Sequence, residues 1–530
     1  MNGVDKMFNE DSFRIAVVYS VNRLWISELV SDLMPYCSEM KRYPVEVSSG
    51  DKKLAEFTDK IVDYESDKYL GGICLYDKLP SKNEADIKQF NRFLRRFSPD
   101  IIIVADNISP DFISVSPRLG TLYVRFGESN RFGVLESLHG HDLTTCSLYL
   151  KTGDSMGIAA SHSYKTIQHH PAVNISLMLS KAKGLIVKCV KKLYYGENVC
   201  MDEETFQDEK PSVHMSVHMY YLYLLYIKGI ITEKLSGFLY ADCRFLLCMK
   251  RGGENWNEDD IWNINSYIPY PVPEGRSWCD PCCISIDGRE YVFFEDYDHE
   301  LGHSHISMLT CKADGEFEYT DKVFAKPYHL SYPFVFQIDG VLYMIPETRA
   351  NRTVDLYKCD KFPDEWSLCR TLIDNISAVD TTLLFYNNMI WLFSCVTSRY
   401  FESEADELFI FYTDDIINGE IKKHSSNPVV TDSRAARPGG AFIIEDDKIF
   451  RVSQDNSKER GLNLMEIIEL SETAYGEKPA KKIVSCGAAG NSMHTVSIGE
   501  SSAWIDGGSK SLRFKKSRQD TEIHEEITEK

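Results

Sequence analysis

Five stretches of this chain repeat one another, and the repeat limits the fold more than any other feature. The clearest copy is His329–Thr348, in which Pro333–Gln337 and Val341–Ile345 read as strands joined by Asp339-Gly340. Asp-Gly between β-branched and aromatic runs signals a tight hairpin, because Gly accepts the positive φ that a type I′ turn requires. The same pattern returns in Ser277–Asp296, in Ser377–Cys395 with Asn387-Asn388 at the turn, in Ala435–Asp455 with Asp446-Asp447, and most weakly in Asn491–Gly508. Aligned on Pro281, Pro333, Thr381, Pro438 and Thr495, the copies advance by 52, 48, 57 and 57 residues. A period near 50 with several strands per unit is that of propeller blades. The sequence therefore predicts an all-β, five-bladed β-propeller over 244–510, with Arg244–Met249 completing the last blade.

At 530 residues the chain is too long for one core, so a further domain is expected in front of the repeats. Phe13–Tyr19 and Ile101–Ala105 are apolar runs suited to buried parallel strands, and Tyr43–Val47 is a candidate second strand. Trp25–Tyr36 and Lys82–Phe97 have helical spacing, the latter with Phe90, Phe93 and Leu94 on one face. Strands alternating with helices predict an α/β Rossmann-like domain over 1–175. A helical connector is expected over 176–243, and a disordered charged tail over 511–530.

A net charge of −20 disfavours nucleic acid as a partner. The 15 cysteines form no even-spaced framework and the start has no secretory leader pattern, so reduced thiols and a cytoplasmic location are expected. Cys279, Cys282 and Cys283 lack a second cysteine pair at matching spacing and read as buried strand residues, not as metal ligands. His139, His141, His162, His169 and His170 lack helical zinc-site spacing. No apolar run reaches the length of a transmembrane helix: the one within His214–Leu235 is broken by Lys228, Gly229 and Glu233. The Lys-rich helix over Val173–Leu193 either packs on a domain or makes a peripheral membrane contact.

In a propeller the residue before each repeat's reference position opens onto the central channel. Asp280, Tyr332, Asp380, Arg437 and His494 are therefore expected to converge, with Glu295 and Glu347 from the following strands close by. Such a mouth is the default ligand site. Asp280, Glu347 and Asp380 are the candidate catalytic acids, and Tyr332, Arg437, His494 and Glu295 the candidate substrate contacts. A second candidate site is a loop carrying Arg125, Glu128, Asn130 and Arg131, where an arginine pair suits phosphate or carboxylate.

Three resemblances refine these expectations. Ser98–Gly133, with the run SPDIIIVADNISPDFISVSPRLGTLYVRFG, resembles the folate-dependent formyltransferases, over roughly Phe13–Ile175. Gly120 matches, but Tyr123 and Arg125 stand at the family's catalytic Asn and His, and Asp154-Ser155-Met156-Gly157 is one residue longer than its Asp-x-Gly. The resemblance implies the scaffold without formyl transfer, and folate is not an expected cofactor. Asp280-Pro281, Asp380 and Glu347 resemble the carboxylate set of five-bladed arabinanase-type glycosidases. HLSYPFVF, LYMIPET, VDTTLL, HSSNPVV, ARPGG and RVSQD together resemble the propeller of plant glucosamine inositol-phosphorylceramide transferases and of bacterial surface-polysaccharide proteins. That likeness, from Trp278 to about Asp506, implies glycan biosynthesis, with a nucleotide sugar or glycan as substrate and glycosyl transfer as the leading activity. A glycan-binding scaffold, a glycosidase and an amino-sugar formyltransferase are the alternatives.

Overall fold

The computed structural model describes residues 13–19, 23–44, 57–58, 60–61, 64–65, 87–105, 110, 113–127, 132–199, 201, 219–252, 261–397, 403–485 and 492–514. The N-terminal sheet has the order β2-β1-β3-β4-β5-β6. Strands β1 (Arg14–Tyr19), β2 (Glu39–Pro44), β3 (Ile101–Val104) and β4 (Thr121–Phe126) are parallel, whereas β5 (Leu143–Thr152) and β6 (Ser155–Lys165) extend the sheet antiparallel. The central strands are continuously apolar because helices cover both faces. Ile15, Val17, Ile101 and Ile103 pack under α1 (Arg23–Leu33), while Ala16, Val18, Ile102 and Val104 pack against Phe90, Leu94 and Phe97 of α2 (Ile87–Phe97). The second strand lies earlier than Tyr43–Val47, at Glu39–Pro44, in parallel register with Arg14–Tyr19.

A short helix α3 (Val134–His139) precedes β5, and α4 (Pro171–Tyr194) runs through the same core. Ile175, Leu179, Ala182, Ile186 and Val190 recur at helical spacing and are buried with the strands. The α/β core therefore continues past 175, and the expected connector reduces to α5 (Met219–Phe238) among the described residues. Four of the five lysines of α4 bond protein groups. Lys183 pairs with Glu28 and Asp32 at 3.0 Å each, Lys181 with Glu407 at 3.0 Å, and Lys188 and Lys191 donate to the carbonyls of Pro428 and Ser425. Among the described residues no helix is long and apolar enough to cross a membrane.

Five four-stranded antiparallel sheets follow, and they form the five-bladed propeller. The first four blades are consecutive in the chain. They comprise β9 (Arg276–Ile286), β10 (Arg289–Asp298), β11 (His303–Cys311) and β12 (Phe317–Phe324); then β13 (Ser331–Ile338), β14 (Val341–Glu347), β15 (Thr353–Lys361) and β16 (Glu365–Asp374). Next come β17 (Ser377–Tyr386), β18 (Met389–Thr397), β19 (Leu408–Thr413) and β20 (Lys422–Lys423); then β21 (Ile443–Glu445), β22 (Lys448–Asp455), β23 (Gly461–Leu470) and β24 (Tyr475–Val484). The fifth blade closes the ring: β25 (Val496–Ile498) and β26 (Ser502–Phe514) pair with β7 (Leu239–Arg251) and β8 (Ile268–Pro269) from before the repeats. This is the closure expected of Arg244–Met249.

The predicted turns form. Asp287-Gly288, Asp339-Gly340, Asn387-Asn388 and Asp446-Asp447 all hold positive φ at both positions, the type I′ signature. Gly439 and Gly440 of the ARPGG run serve a different purpose. The Gly440 backbone approaches Val496 so closely that a Cβ would sit 2.2 Å from the Val496 carbonyl oxygen, which lets blades four and five bond directly.

The two domains join along β6. Ser163 donates its N–H to the Thr431 carbonyl at 3.0 Å and accepts from the Ser433 N–H at 2.8 Å, and the Lys165 N–H donates to Asp406 at 3.2 Å.

Candidate functional site in the propeller funnel

The innermost strands β9, β13 and β17 each carry a bulge at the same repeat position. Asp280, Tyr332 and Asp380 occupy it, at φ of +52°, +42° and +51°. Left-handed backbone at a non-glycine residue costs roughly 1–2 kcal/mol, and recurrence at three equivalent positions marks it as a structural device. The bulge turns the residue out of the strand's alternation toward the residues of neighbouring blades.

Asp280 and His494 meet, with Oδ1 to Nε2 at 3.3 Å, and the other ring nitrogen of His494 lies 3.1 Å from Asp506. Asp506 also accepts from the backbone N–H groups of His494 and Thr495 at 2.9 Å and of Asp280 at 3.3 Å. The Tyr332 N–H donates to Asp280 at 3.3 Å. Arg437 clasps Asp380 with two bonds, Nε to Oδ2 at 2.6 Å and Nη2 to Oδ1 at 3.2 Å, and the Gln454 amide donates to the same carboxylate at 2.7 Å. Such a fork-on-carboxylate pair fixes both groups. Glu295 accepts from the Cys279 thiol at 3.1 Å and lies 3.6 Å from His329.

The electrostatics separate the acids. Burial alone would raise Asp280, but the hydrogen bond and charge of His494 outweigh it and hold the carboxyl below its usual range. Burial would lower His494; Asp506 and Asp280 reverse this and lift it to about 10, so the ring is charged at neutral pH. Glu295 is pushed up to about 8 by burial and by the negative charge of Asp280. Burial and Asp380 push Glu347 well above the carboxylate range. Burial also raises Asp380, opposed by Arg437. An ionised Asp280 beside protonated Glu295 is an arrangement that divides base from acid.

The structure thus brings Asp280, Asp380, Arg437, His494, Glu295 and Glu347 to one mouth. Tyr332 contributes differently from expectation. Its side chain is buried and its hydroxyl bonds Thr382 at 2.8 Å, so its backbone N–H is what reaches Asp280. Arg125 is not in a loop: it is the fifth residue of β4, in register with Ser147 of β5, on the N-terminal sheet and away from the funnel. Arg131, Glu128 and Asn130 lie outside the described residues.

Sequence reasoning missed Asp506 and Gln454, although a signal existed. The acids Glu295 and Glu347 mark one position on each blade's second strand, and continuing it gives Cys395, Gln454 and Asp506. Arg349, Glu404 and His329 also reach the mouth, from connections between strands that the repeat does not index.

Cys279, Asp280 and His494 offer ligand atoms within 4.8 Å of one another. Burial and Glu295 hold the Cys279 thiol well above its ordinary value, and His494 already bonds Asp280 and Asp506. Asp296, His305 and Asp321 also cluster, but Arg276 lies between them, 3.1 Å from Asp296 and 3.5 Å from Asp321, and supplies the positive charge. A cavity of about 500 Å³ opens beside the third blade, lined by Arg352, Asn375, Ser377, Thr397, Lys423 and His424. None of the converging acids lines it.

Residues 278–493 match the sequence family described as "Glucosamine inositolphosphorylceramide transferase 1, N-terminal". A protein named glucosamine inositolphosphorylceramide transferase 1 from Oryza sativa subsp. japonica is 33% identical over 205 residues, covering 38% of this chain and 27% of the relative. Its namesake from Arabidopsis thaliana is 30% identical over 263 residues, covering 46% and 33%. The chain thus spans about a third or less of the length of these curated relatives. Among solved structures, the catalytic domain of a Coprinopsis cinerea alpha-L-arabinofuranosidase aligns with a TM-score of 0.32 and 13% identity, covering 52% of this chain and 93% of that one. An exo-beta-1,3-galactanase from Clostridium thermocellum aligns at 0.32 and 13%, covering 40% and 53%.

Proposed function

We propose that this chain is a carbohydrate-active protein of glycoconjugate or cell-surface polysaccharide synthesis, whose funnel holds a glycan or nucleotide sugar for glycosyl transfer. The observation that carries the reading is the network of Asp280, His494, Asp506, Asp380 and Arg437, built from four blades at one mouth. Asp280, Asp380 and Arg437 lie within the span that matches the N-terminal region of glucosamine inositolphosphorylceramide transferase 1, and His494 and Asp506 follow it.

In this reading the ionised Asp280 takes the proton of an acceptor hydroxyl as its oxygen bonds the anomeric carbon. A protonated Glu295 or Glu347 donates to the departing oxygen as the old bond breaks. Asp380, locked by Arg437, positions its neighbours and carries no proton in the step. The N-terminal sheet is read as a formyltransferase-like scaffold without that activity, since Tyr123 is buried in the core under α2.

A second reading, glycoside hydrolysis, is favoured by one observation: the separation of the Asp280 and Glu295 acidities is the pattern by which glycosidases assign base and acid. Water would then replace the acceptor hydroxyl.

A thermal-shift panel of nucleotide sugars, free nucleotides, oligosaccharides and a folate tests these readings. A ligand at 100-fold over its Kd adds about 2.7 kcal/mol of stability. A shift with one nucleotide sugar, lost in Asp280→Asn, supports transfer. Release of reducing sugar from an oligosaccharide supports hydrolysis. A response to folate alone overturns both.

A further inference from the structure

Helix α5 is pinned to the N-terminal domain along one side and exposed along the other. Leu222 and Tyr226 are buried in that domain's core, and Leu225 and Ile230 pack partly against it. The Phe57 ring meets Tyr223 and Tyr226 edge-on, with centroids 5.1 and 6.5 Å apart. The His169 ring presses on the helix at Gly229, where a Cβ would lie 2.5 Å from it, and His170 holds Glu233 at 3.2 Å. These contacts fix the rotation of the helix about its axis, and with it the face turned outward.

That face is apolar. Tyr221, Leu224, Ile227, Ile231 and Leu235 are 48%, 64%, 49%, 51% and 55% exposed. Tyr221, Leu224, Lys228, Ile231 and Leu235 follow one another by 3, 4, 3 and 4 residues, the a/d spacing that keeps one stripe facing a second helix. Ile227 flanks the stripe.

Lys228 selects the occupant. A helix lying in a bilayer surface keeps its ammonium groups at the polar margin, whereas Lys228 stands in the middle of the apolar stripe. The net charge of −20 also repels anionic lipid. A helix–helix seam admits one lysine at an a position, which costs affinity and fixes orientation. A parallel pair would set two Lys228 ammonium groups against each other. An antiparallel pair offset by one layer instead sets each Lys228 against Leu224 or Ile231 of the other copy. The area is also sufficient. Five side chains about half exposed offer on the order of 500 Å² of apolar surface per copy, so two copies bury about 1,000 Å², the floor for a specific interface.

We infer that α5 is a dimerisation surface, on which the helices of two copies of this chain pair antiparallel through Tyr221, Leu224, Ile231 and Leu235. The same patch then serves both copies about a two-fold axis, the commonest arrangement of a homodimer.

Sedimentation of the full chain across micromolar concentrations, with and without phosphatidylcholine vesicles, tests this. The expected mass rises with concentration from the 60.7 kDa of one chain to twice that value. Leu224→Glu combined with Ile231→Glu holds the mass at one chain with the circular dichroism unchanged, since both side chains are exposed. Lys228→Leu lowers the dimer Kd about tenfold or more, a gain that a variant failing to fold does not give. A one-chain mass at every concentration, in the wild type and in Lys228→Leu, overturns the inference. A dimer that survives Leu224→Glu with Ile231→Glu overturns the assignment to α5. A single chain that sediments with the vesicles, and no longer does so in the double variant, gives the face to lipid and overturns the inference as well.

Discussion

Asp280 and His494 face one another across the seam between the first and last blades, Oδ1 to Nε2 at 3.3 Å. The seam that closes the ring is therefore also the place where the funnel's charge is set. Asp506 stands behind His494 on β26, the strand that pairs with β7 to complete the fifth blade. Closure of the propeller and assembly of the candidate site are one event, and variants at these residues report on both.

Backbone and charge at residue 280 are separable. Asn tolerates left-handed backbone far better than Ala, so Asp280→Asn removes the charge and keeps the bulge, while Asp280→Ala also strains it. Urea unfolding is expected to show Asp280→Ala less stable than Asp280→Asn by about 1 kcal/mol, with glycan binding lost in both. Equal stability of the two would remove the argument that the bulge is strained.

The Arg437–Asp380 pair has unequal halves. Asp380 is 1% exposed and Arg437 23%, so Arg437→Met strands a buried carboxylate with only Gln454, whereas Asp380→Asn leaves an arginine with access to water and to Glu404. Arg437→Met is expected to cost about 3 kcal/mol and Asp380→Asn less, with the double variant below the sum. Denaturant midpoints for the three variants check this, and strict additivity counts against a coupled pair.

Stability should fall as pH rises through neutrality. Glu295 at about 8 and His494 at about 10 both bind a proton more tightly folded than unfolded. Their contributions are complete below the unfolded values, near 4.5 and 6.5, and fade up to pH 8 and pH 10. Asp280 is shifted the other way and loses its contribution only in acid. Urea midpoints should decline between pH 6.5 and 8. Glu295→Gln should flatten the slope from pH 4.5 to 8, and His494→Gln the slope from 6.5 to 10. A wild-type midpoint that rises over this interval contradicts both shifts.

Much of the propeller was legible because its information is local. Asp339-Gly340 and its counterparts specify their turn within two residues, and the alignment of Asp280, Tyr332 and Asp380 follows from repeat position alone. What was not legible depends on contacts distant in sequence. Glu404 reaches Arg349 and Arg437 from an aperiodic connection, and Tyr332 turns to Thr382 because a neighbouring blade offers a hydroxyl there. Residues beyond 175 join the N-terminal core because the apolar side of α4 meets β4, β5 and β6, a preference indistinguishable in sequence from that of a connector helix. Arg125 lies in β4 because no turn residue precedes Gly127, whose positive φ ends the strand.

The two domains should unfold together, and Lys181 is the residue on which this depends. Its side chain is 3% exposed within α4 and meets Glu407 of the third blade at 3.0 Å. His162 of β6 lies 3.8 Å from the same carboxylate; burial, reinforced by Lys181 and Lys188, lowers its pKa well below the ordinary value, so it is neutral and does not substitute for the lysine. Removing one member of a buried pair costs about 3–5 kcal/mol, whereas replacing both by neutral groups is often harmless. Calorimetry of the wild type should give one transition. Lys181→Met should separate it into two, because the hydrogen bonds that remain, those of Ser163 to Thr431 and Ser433, of Lys165 to Asp406, of Lys188 to Pro428 and of Lys191 to Ser425 among them, are solvent-competed and do not offset a stranded Glu407. Lys181→Met combined with Glu407→Gln should bring the transitions back together. If Lys181→Met melts as one unit at the wild-type temperature, the ladder along β6 carries the coupling and the buried pair does not.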